Sequence, residues 1–130
     1  MKIIIELTPV TKKNSQRIVL NRRTQRPMVL PSEKYKAYEQ AAGYYLMPCR
    51  PAEPIDYPVN IEMVYYMPTR RRVDLVNLQE ATLDVLVRWE ILKDDNSNIV
   101  ASMDGSRVLY DKAKPRTEIT ITRKEGEDGE

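Results

Sequence analysis

The spacing of apolar residues predicts several short β-strands. Residues 2–8 are rich in β-branched side chains and end at Pro9, and their three consecutive isoleucines predict a strand in the interior of a sheet. Further strands are predicted at residues 59–67, 99–103, 107–110 and 117–122, and two short apolar arms at residues 18–20 and 28–30 flank a basic turn. Asp104, Gly105 and Ser106 separate the predicted strand at residues 99–103 from the one at residues 107–110, which is typical of a bulge or a tight hairpin turn.

Two stretches have the spacing of amphipathic helices. The first is predicted to begin at Ser32 as the N-cap and to end near Leu46, before Pro48. Its side chains at helical spacing are Tyr35, Tyr38, Ala41, Ala42 and Tyr45. We interpret this stripe as core packing, and base stacking by the tyrosines is the alternative.

The second helix is predicted over residues 75–89. At 100° per residue, its apolar stripe consists of Leu75, Leu78, Thr82, Val85, Leu86 and Trp89. Asn77, Glu80 and Asp84 form a separate polar stripe. Asp74 precedes the helix where a carboxylate caps backbone N–H groups, so its pattern fits a helix cap or a metal ligand.

The order of these elements predicts an α+β fold. We expect a mixed or antiparallel β-sheet with two helices packed on one face. A chain of 130 residues has the length of one domain, which we place at residues 1–123, and the charged tail at residues 124–130 has a composition that predicts disorder. Residues 47–58 contain four prolines and are predicted to be a connector.

Composition excludes several classes of enzyme. The chain has no histidine, which excludes Ser-His-Asp and Cys-His mechanisms and sites with histidine ligands. Cys49 is the only cysteine, so we expect an inert thiol and a cytoplasmic protein. No apolar run approaches the roughly 20 residues of a membrane span, so we expect no membrane association.

The net charge is only +2, so an attraction to nucleic acid must come from local basic clusters. Two clusters stand out, one within residues 11–26 and one at Arg70, Arg71 and Arg72. If the two clusters met in space, they would favour phosphate contact over an ordinary solvated surface.

Clustered acids follow the second basic run. Asp74 comes directly after three arginines, and Asp94 and Asp95 follow the predicted helix. Basic charge beside carboxylates is typical of metal-dependent enzymes that act on phosphodiesters. The alternative for residues 94–98 is an Asx turn that leads into a strand.

At these residues the chain resembles a known family. Residues 71–80 read Arg-Arg-Val-Asp-Leu-Val-Asn-Leu-Gln-Glu and are followed by the Asp94-Asp95 pair, a pattern similar to the RusA-type Holliday junction resolvases. The family's core motif is Arg-Arg-x-Asp-Leu-Asp-Asn-Leu-x-Lys, and Asp74, Leu75, Asn77 and Leu78 match it in order. Residues 9–17 resemble the family's Pro-rich opening, in which Asn14 matches its asparagine. The resemblance covers most of the chain.

The resemblance implies a RusA-like fold and a phage-type endonuclease that cleaves four-way or branched DNA in recombination and repair. It also implies a homodimer that depends on Mg²⁺, or on Mn²⁺ in its place. The implied catalytic and metal-binding residues are Asp74 and Asp95, with Asp94 in a supporting position. The implied DNA-binding residues are Lys12, Lys13, Asn14, Arg17, Arg70, Arg71 and Arg72.

The chain departs from the family motif at two positions. Val76 stands where the family has its second acidic ligand, and Glu80 stands where it has a lysine. An apolar side chain cannot bind a metal, so we expect Glu80, as a catalytic and metal-binding residue, or Asp104, as a metal ligand, to supply the missing carboxylate. The alternatives are a catalytically impaired DNA-junction-binding protein of the same fold and a tyrosine-rich interaction module.

Overall fold

A central sheet and two helices form the body of the protein, in a computed structural model that describes residues 1–12, 17–30 and 33–124. The strands are β1 (Lys2–Ile5), β2 (Arg17–Asn21), β3 (Arg26–Leu30), β4 (Val59–Met67), β5 (Val100–Ser102), β6 (Arg107–Tyr110) and β7 (Arg116–Arg123). The helices are α1 (Glu33–Leu46) and α2 (Leu75–Arg88), and a short 3-10 turn (Met47–Cys49) follows α1.

The five-stranded sheet is mixed. Its order is β1-β7-β4-β5, with β1 and β4 antiparallel to β7. β5 and β6 both run parallel to β4 along the same edge, β5 beside its start and β6 beside its end. The predicted α+β fold is therefore confirmed. The break at residues 104–106 is not a hairpin turn, since β5 and β6 pair with β4 in the same direction.

The first strand lies at the edge of the sheet, so its predicted interior position is wrong. Ile3 and Ile5 are 1% exposed, whereas Ile4 between them is 41% exposed. Alternation places Ile4 on the face without helices. Three consecutive isoleucines therefore did not indicate a strand buried on both faces.

Both helices pack on one face of the sheet, as predicted. The core combines Tyr35 and Tyr38 of α1 with side chains from β1, β4, β7 and α2. A buried hydrogen bond of 2.7 Å joins the hydroxyls of Tyr65 and Thr82, linking β4 to α2. Tyr35 and Tyr38 therefore serve packing, as we interpreted their stripe, although Ala41 of the same stripe is exposed.

The two helices also contact each other at a glycine. Trp89 follows α2, and its indole N–H donates to the carbonyl of Glu39 at 2.9 Å. The indole ring lies so close to Gly43 that a side chain at that position would overlap it. The absence of a side chain at Gly43 thus lets α1 and the end of α2 approach.

The β2–β3 hairpin stands apart from the sheet. Its strands pair with each other in a separate two-stranded sheet, and its arms agree with those predicted. The predicted N-cap Ser32 and residues 125–130 of the predicted tail lie outside the described residues. In the described part of the chain, neither helix has the length and apolar character needed to cross a membrane.

Candidate functional site

The basic loop, residues 68–74 between β4 and α2, is held in place by β6. The guanidinium of Arg70 lies over the ring of Tyr110, 4.2 Å from its centroid, in a cation–π contact. Tyr110 ends β6, and the next residue, Asp111, donates its backbone N–H to the carbonyl of Met67 at 2.9 Å. The parallel pairing of β6 with β4 therefore positions the start of this loop.

A cleft of about 620 Å³ opens beside this loop. Its described lining consists of Thr8, Pro9, Val10, Thr11, Lys34, Met67, Pro68, Thr69, Arg71, Arg72, Val73 and Leu78. Three of these side chains are cationic, and none of the described lining residues is acidic. The cleft is thus suited to a polyanion, and it brings the segment after β1 together with Arg71 and Arg72.

The N-terminal basic residues differ in how they relate to this cleft. Lys12 forms an ion pair of 2.8 Å with Asp84 of α2, and its ammonium lies 5.5 Å from the ring centroid of Tyr35. Its charge is therefore directed at the protein. Lys13 and Asn14 lie outside the described residues, as does the side chain of Arg17. Lys34, which the sequence did not single out, contributes instead.

Asp74 caps α2. Its Oδ1 accepts the backbone N–H groups of Val76 at 2.9 Å and Asn77 at 3.4 Å. Its Oδ2 has no hydrogen bond or ion pair with any residue in the described part of the chain. A carboxylate has two oxygens, so capping leaves one of them available to a ligand.

The two acids after α2 have different surroundings. Asp94 accepts the backbone N–H of Asp95 at 2.7 Å through Oδ1 and the side-chain amide of Asn96 at 3.2 Å through Oδ2. The Asx turn of this segment is formed by Asn96, whose Oδ1 accepts the backbone N–H of Asn98 at 2.9 Å. The carboxylate of Asp95 is exposed and makes no hydrogen bond or ion pair within residues 1–12, 17–30 and 33–124.

Asp74 and Asp95 lie at opposite ends of α2. The helix has 14 residues, which corresponds to a length of about 21 Å. Asp74 follows the end of β4, whereas Lys93 pairs with Ile55 before β4 and Val100 pairs with Val59 at its start. The predicted convergence of the two carboxylates therefore does not occur within one chain.

The remaining predicted ligands are also dispersed. Glu80 is exposed on the polar side of α2. Asp104 donates its backbone N–H to Oδ1 of Asn60 at 2.8 Å, which places it beside the start of β4. Val76, at 57% exposure, presents an apolar side chain next to Asp74. Among the residues that the structure describes, no three Asp, Glu, Cys or His side chains are grouped as a metal site would require.

A charged network near the basic loop was not predicted from the sequence. Arg116 donates to Asp111 at 2.9 Å and to Glu118 at 2.8 Å, and its guanidinium lies 3.7 Å from the ring centroid of Tyr66. The hydrogen bonds from Arg116 lower the pKa of both carboxyls. Arg116 and Glu118 are two apart on a strand, which could have indicated the second pair, but Tyr66 joins through sheet pairing alone.

Buried tyrosine hydroxyls play no part in these surfaces. Burial raises the pKa of Tyr38 to about 12, and burial also raises the pKa of Tyr65 above its ordinary range. Both remain neutral, and their rings are inaccessible to a nucleic acid base. Tyr110 at 40% exposure is one aromatic side chain that does border the basic loop.

One comparison with known proteins gave a match. A family model described as "Endodeoxyribonuclease RusA" matches residues 6–122, which is nearly the whole chain. The matched region contains the basic loop, the cleft and each acidic residue discussed above. A search of curated proteins gave no match.

Proposed function

Because the chain belongs to the RusA family of endodeoxyribonucleases, we propose that residues 1–123 form a nuclease domain that cleaves four-way DNA junctions with the help of a divalent cation. The family acts on Holliday junctions, so branched DNA is the substrate. One observation supports the proposed metal site. Asp74 and Asp95 each have at least one carboxylate oxygen that forms no hydrogen bond or ion pair with a described residue. The proposed cation is Mg²⁺, or Mn²⁺ in its place. The proposed role is DNA recombination and repair, in a protein of the phage type.

Two copies of the chain would supply a magnesium ion with two carboxylates. Mg²⁺ in phosphate chemistry is held by one or two carboxylates, together with waters and substrate phosphates. Asp74 and Asp95 satisfy that number, although a distance of about one helix length separates them within a chain. We therefore propose a homodimer in which Asp74 of one copy and Asp95 of the other lie together.

Two-fold symmetry also fits the substrate. A C₂ dimer that pairs Asp74 with Asp95 across the interface creates two identical sites. A four-way junction requires cuts on two strands, so two equivalent sites match the reaction. Glu80, or alternatively Asp104, would add a third carboxylate in place of the one that Val76 lacks.

The chain's own residues would bind and orient the DNA. Arg71, Arg72 and Lys34 line the cleft and would hold the phosphate backbone, while the contact with Tyr110 fixes Arg70 beside it. Lys13, Asn14 and Arg17 extend this surface in the proposal, and Lys12 would join them only by leaving its ion pair with Asp84. The cation, when bound, supplies water activation and stabilises negative charge on the phosphate.

The decisive experiment combines two single variants. Asp74→Asn and Asp95→Asn should each abolish Mg²⁺-dependent cleavage of a labelled four-way junction, while Glu53→Gln on the exposed connector should not. Co-expressed with different tags and purified as a mixed dimer, the two variants should regain nicking. In the mixed dimer, one shared site contains both substitutions, and the other retains Asp74 from one copy and Asp95 from its partner.

Sites formed within single chains would leave the mixed dimer inactive, which would refute the shared site and not the activity. Equal cleavage by wild type and both single variants would refute the assignment of Asp74 and Asp95. Glu80→Gln and Asp104→Asn, measured in the same assay, identify which carboxylate serves as the third ligand.

The second candidate is a junction-binding protein with impaired catalysis. The exposed Val76 favours it, because an apolar side chain occupies the accessible first turn of α2 beside Asp74. On this alternative, wild type binds junctions without cutting them, and Val76→Asp creates or strongly increases cleavage. Val76→Asn has a similar size without the charge, so it should leave cleavage unchanged.

A further inference from the structure

The described side chains of the β2–β3 hairpin lie outside the core. Its two strands pair only with each other in the described part of the chain, and none of residues 18–28 belongs to the buried core or packs against it. Residues so placed do little for the stability of the body, and the hairpin surface is accessible for binding.

The tip of the hairpin has a backbone held by hydrogen bonds to a side chain, and it carries three exposed cations. Asn21 Oδ1 accepts the backbone N–H groups of Arg23 at 2.9 Å and Thr24 at 3.1 Å, and Gln25 closes the turn with a φ of 59°. The side chains of Arg22, Arg23 and Arg26 are exposed and make no ion pair with the residues the structure describes. Three guanidinium groups are thus presented to solvent on a short ordered turn.

Positive charge is concentrated in this part of the chain. Residues 11–30 contain six of the 21 Lys and Arg residues and none of the 19 Asp and Glu residues, which leaves 15 basic and 19 acidic residues elsewhere. The net charge of only +2 is therefore the sum of a strongly basic segment, residues 11–30, and an acidic remainder. A basic segment of this kind lets a nearly neutral protein attract a polyanion locally.

One face of the hairpin is apolar and exposed. Ile18 is 73% exposed and Leu20 is 58% exposed, and they lie on the same face because they are two residues apart. Pro27, the cross-strand partner of Leu20, is exposed as well. The half-buried Val19 alternates with them on the other face.

We propose that the β2–β3 hairpin lies in the major groove of a duplex arm of the bound junction. This proposal rests on the proposed function, because its partner is the same DNA. Arg22, Arg23 and Arg26 contact phosphates at the groove edge, and Ile18 and Leu20 face the base edges. None of the described residues that line the cleft at Arg71 and Arg72 belongs to the hairpin.

The dimensions and the chemistry of the groove both fit. The major groove of B-DNA is about 12 Å wide and admits a two-stranded β-ribbon. It carries thymine methyl groups, which apolar side chains can contact, between rows of phosphates that accept guanidinium donors. A second copy of this chain could cover the apolar face, but an acidic partner surface would then have to neutralise three clustered arginines.

Binding of the full-length protein to a fluorescent four-way junction in EDTA tests the proposal without cleavage. Arg22→Gln/Arg23→Gln should weaken binding by about tenfold and lower the slope of log affinity against log salt by about 1.8, since each phosphate contact contributes about 0.9. Lys36→Gln/Lys124→Gln removes the same charge elsewhere and should change both quantities much less. Ile18→Ser/Leu20→Ser should weaken binding several-fold with an unchanged salt slope.

The outcomes separate the two proposals. If wild type does not bind the junction, the proposed function fails and this inference fails with it. If wild type binds and the tip variant behaves as the charge-matched control does, only the hairpin contact is refuted. If the tip or apolar-face variant alters the oligomeric mass in solution but not the DNA affinity, the hairpin serves a second copy and the DNA contact is refuted.

Discussion

The body and the β2–β3 hairpin use the same local motifs in different surroundings. Asp74 and Asn21 each accept two successive backbone N–H groups through one side-chain oxygen. Alternating apolar residues occur in both regions, yet Ile3 is 1% exposed in β1 and Ile18 is 73% exposed in β2. Burial, which no local pattern contains, decides whether such residues stabilise the fold or remain available for binding.

The largest expected difference in the free energy of unfolding is between a buried leucine of the body and an exposed leucine of the hairpin. Leu86 is fully buried in α2, so Leu86→Ala should lower the free energy of unfolding by about 2–5 kcal/mol. Leu20→Ala on the hairpin should change it by about 0.5 kcal/mol or less. Urea denaturation of both variants measures the contrast, and equal losses would show that the hairpin folds as part of the core.

Gly43 provides the next contrast. Gly43→Ala should cost about 1–3 kcal/mol, because the added methyl group displaces Trp89 and disturbs its hydrogen bond to Glu39. Gln25→Gly at the hairpin tip, where φ is 59°, should leave global unfolding unchanged. Thermal denaturation with tryptophan fluorescence reports both effects, and an unaltered Gly43→Ala melting temperature would contradict the close helix contact.

Asp74, which caps α2, and Asn21, which accepts two backbone N–H groups in the hairpin turn, give a smaller and more specific effect. Asp74→Ala should cost about 1 kcal/mol of stability, whereas Asp74→Asn should be nearly neutral, since asparagine also caps. Both should abolish junction cleavage if Asp74 is a ligand. Asn21→Ala should leave global stability unchanged but weaken junction binding through the tip. Cleavage by Asp74→Asn at the wild-type rate would show that Asp74 is a cap alone.

Acid should affect only the body, and modestly. Arg116 lowers the pKa of Asp111 and Glu118 below their ordinary values of 3.8 and 4.5. A lowered folded-state pKa adds stability that is present above those values and is lost as pH falls through the folded-state values. Arg116→Gln should therefore make the melting temperature depend less on pH below about pH 5, whereas Arg22→Gln should not. Identical pH profiles for wild type and Arg116→Gln would contradict the network.

Much of the fold followed from the sequence because its signals are local. The period of 3.6 defined α2 and its core stripe, and the alternation of β4 and β7 defined their inward faces. The position of Asp74 predicted either a helix cap or a metal ligand, and the structure shows the cap. The family motif of residues 71–80 agreed with the matched family. Hairpin arms were also recognisable from two apolar runs around a basic turn.

The site depended on relations that only the tertiary structure supplies. Sequence spacing could not reveal that residues 91–93 pair with Ile55 before β4, which keeps Asp95 at the far end of α2 from Asp74. Nor could it reveal that Lys34 joins Arg71 and Arg72 at one cleft. Nor could it place Tyr110 under Arg70, since that contact requires β6 to pair parallel with β4.

The sequence by itself therefore determined the elements, their inward faces, the helix cap and the family. Tertiary structure decided that β1 is an edge strand, that the hairpin stays outside the core and that the two acids lie apart in one chain. The physical reason is that secondary structure follows from interactions between near neighbours, whereas the arrangement of a site follows from which distant strands pair and which surfaces they bury.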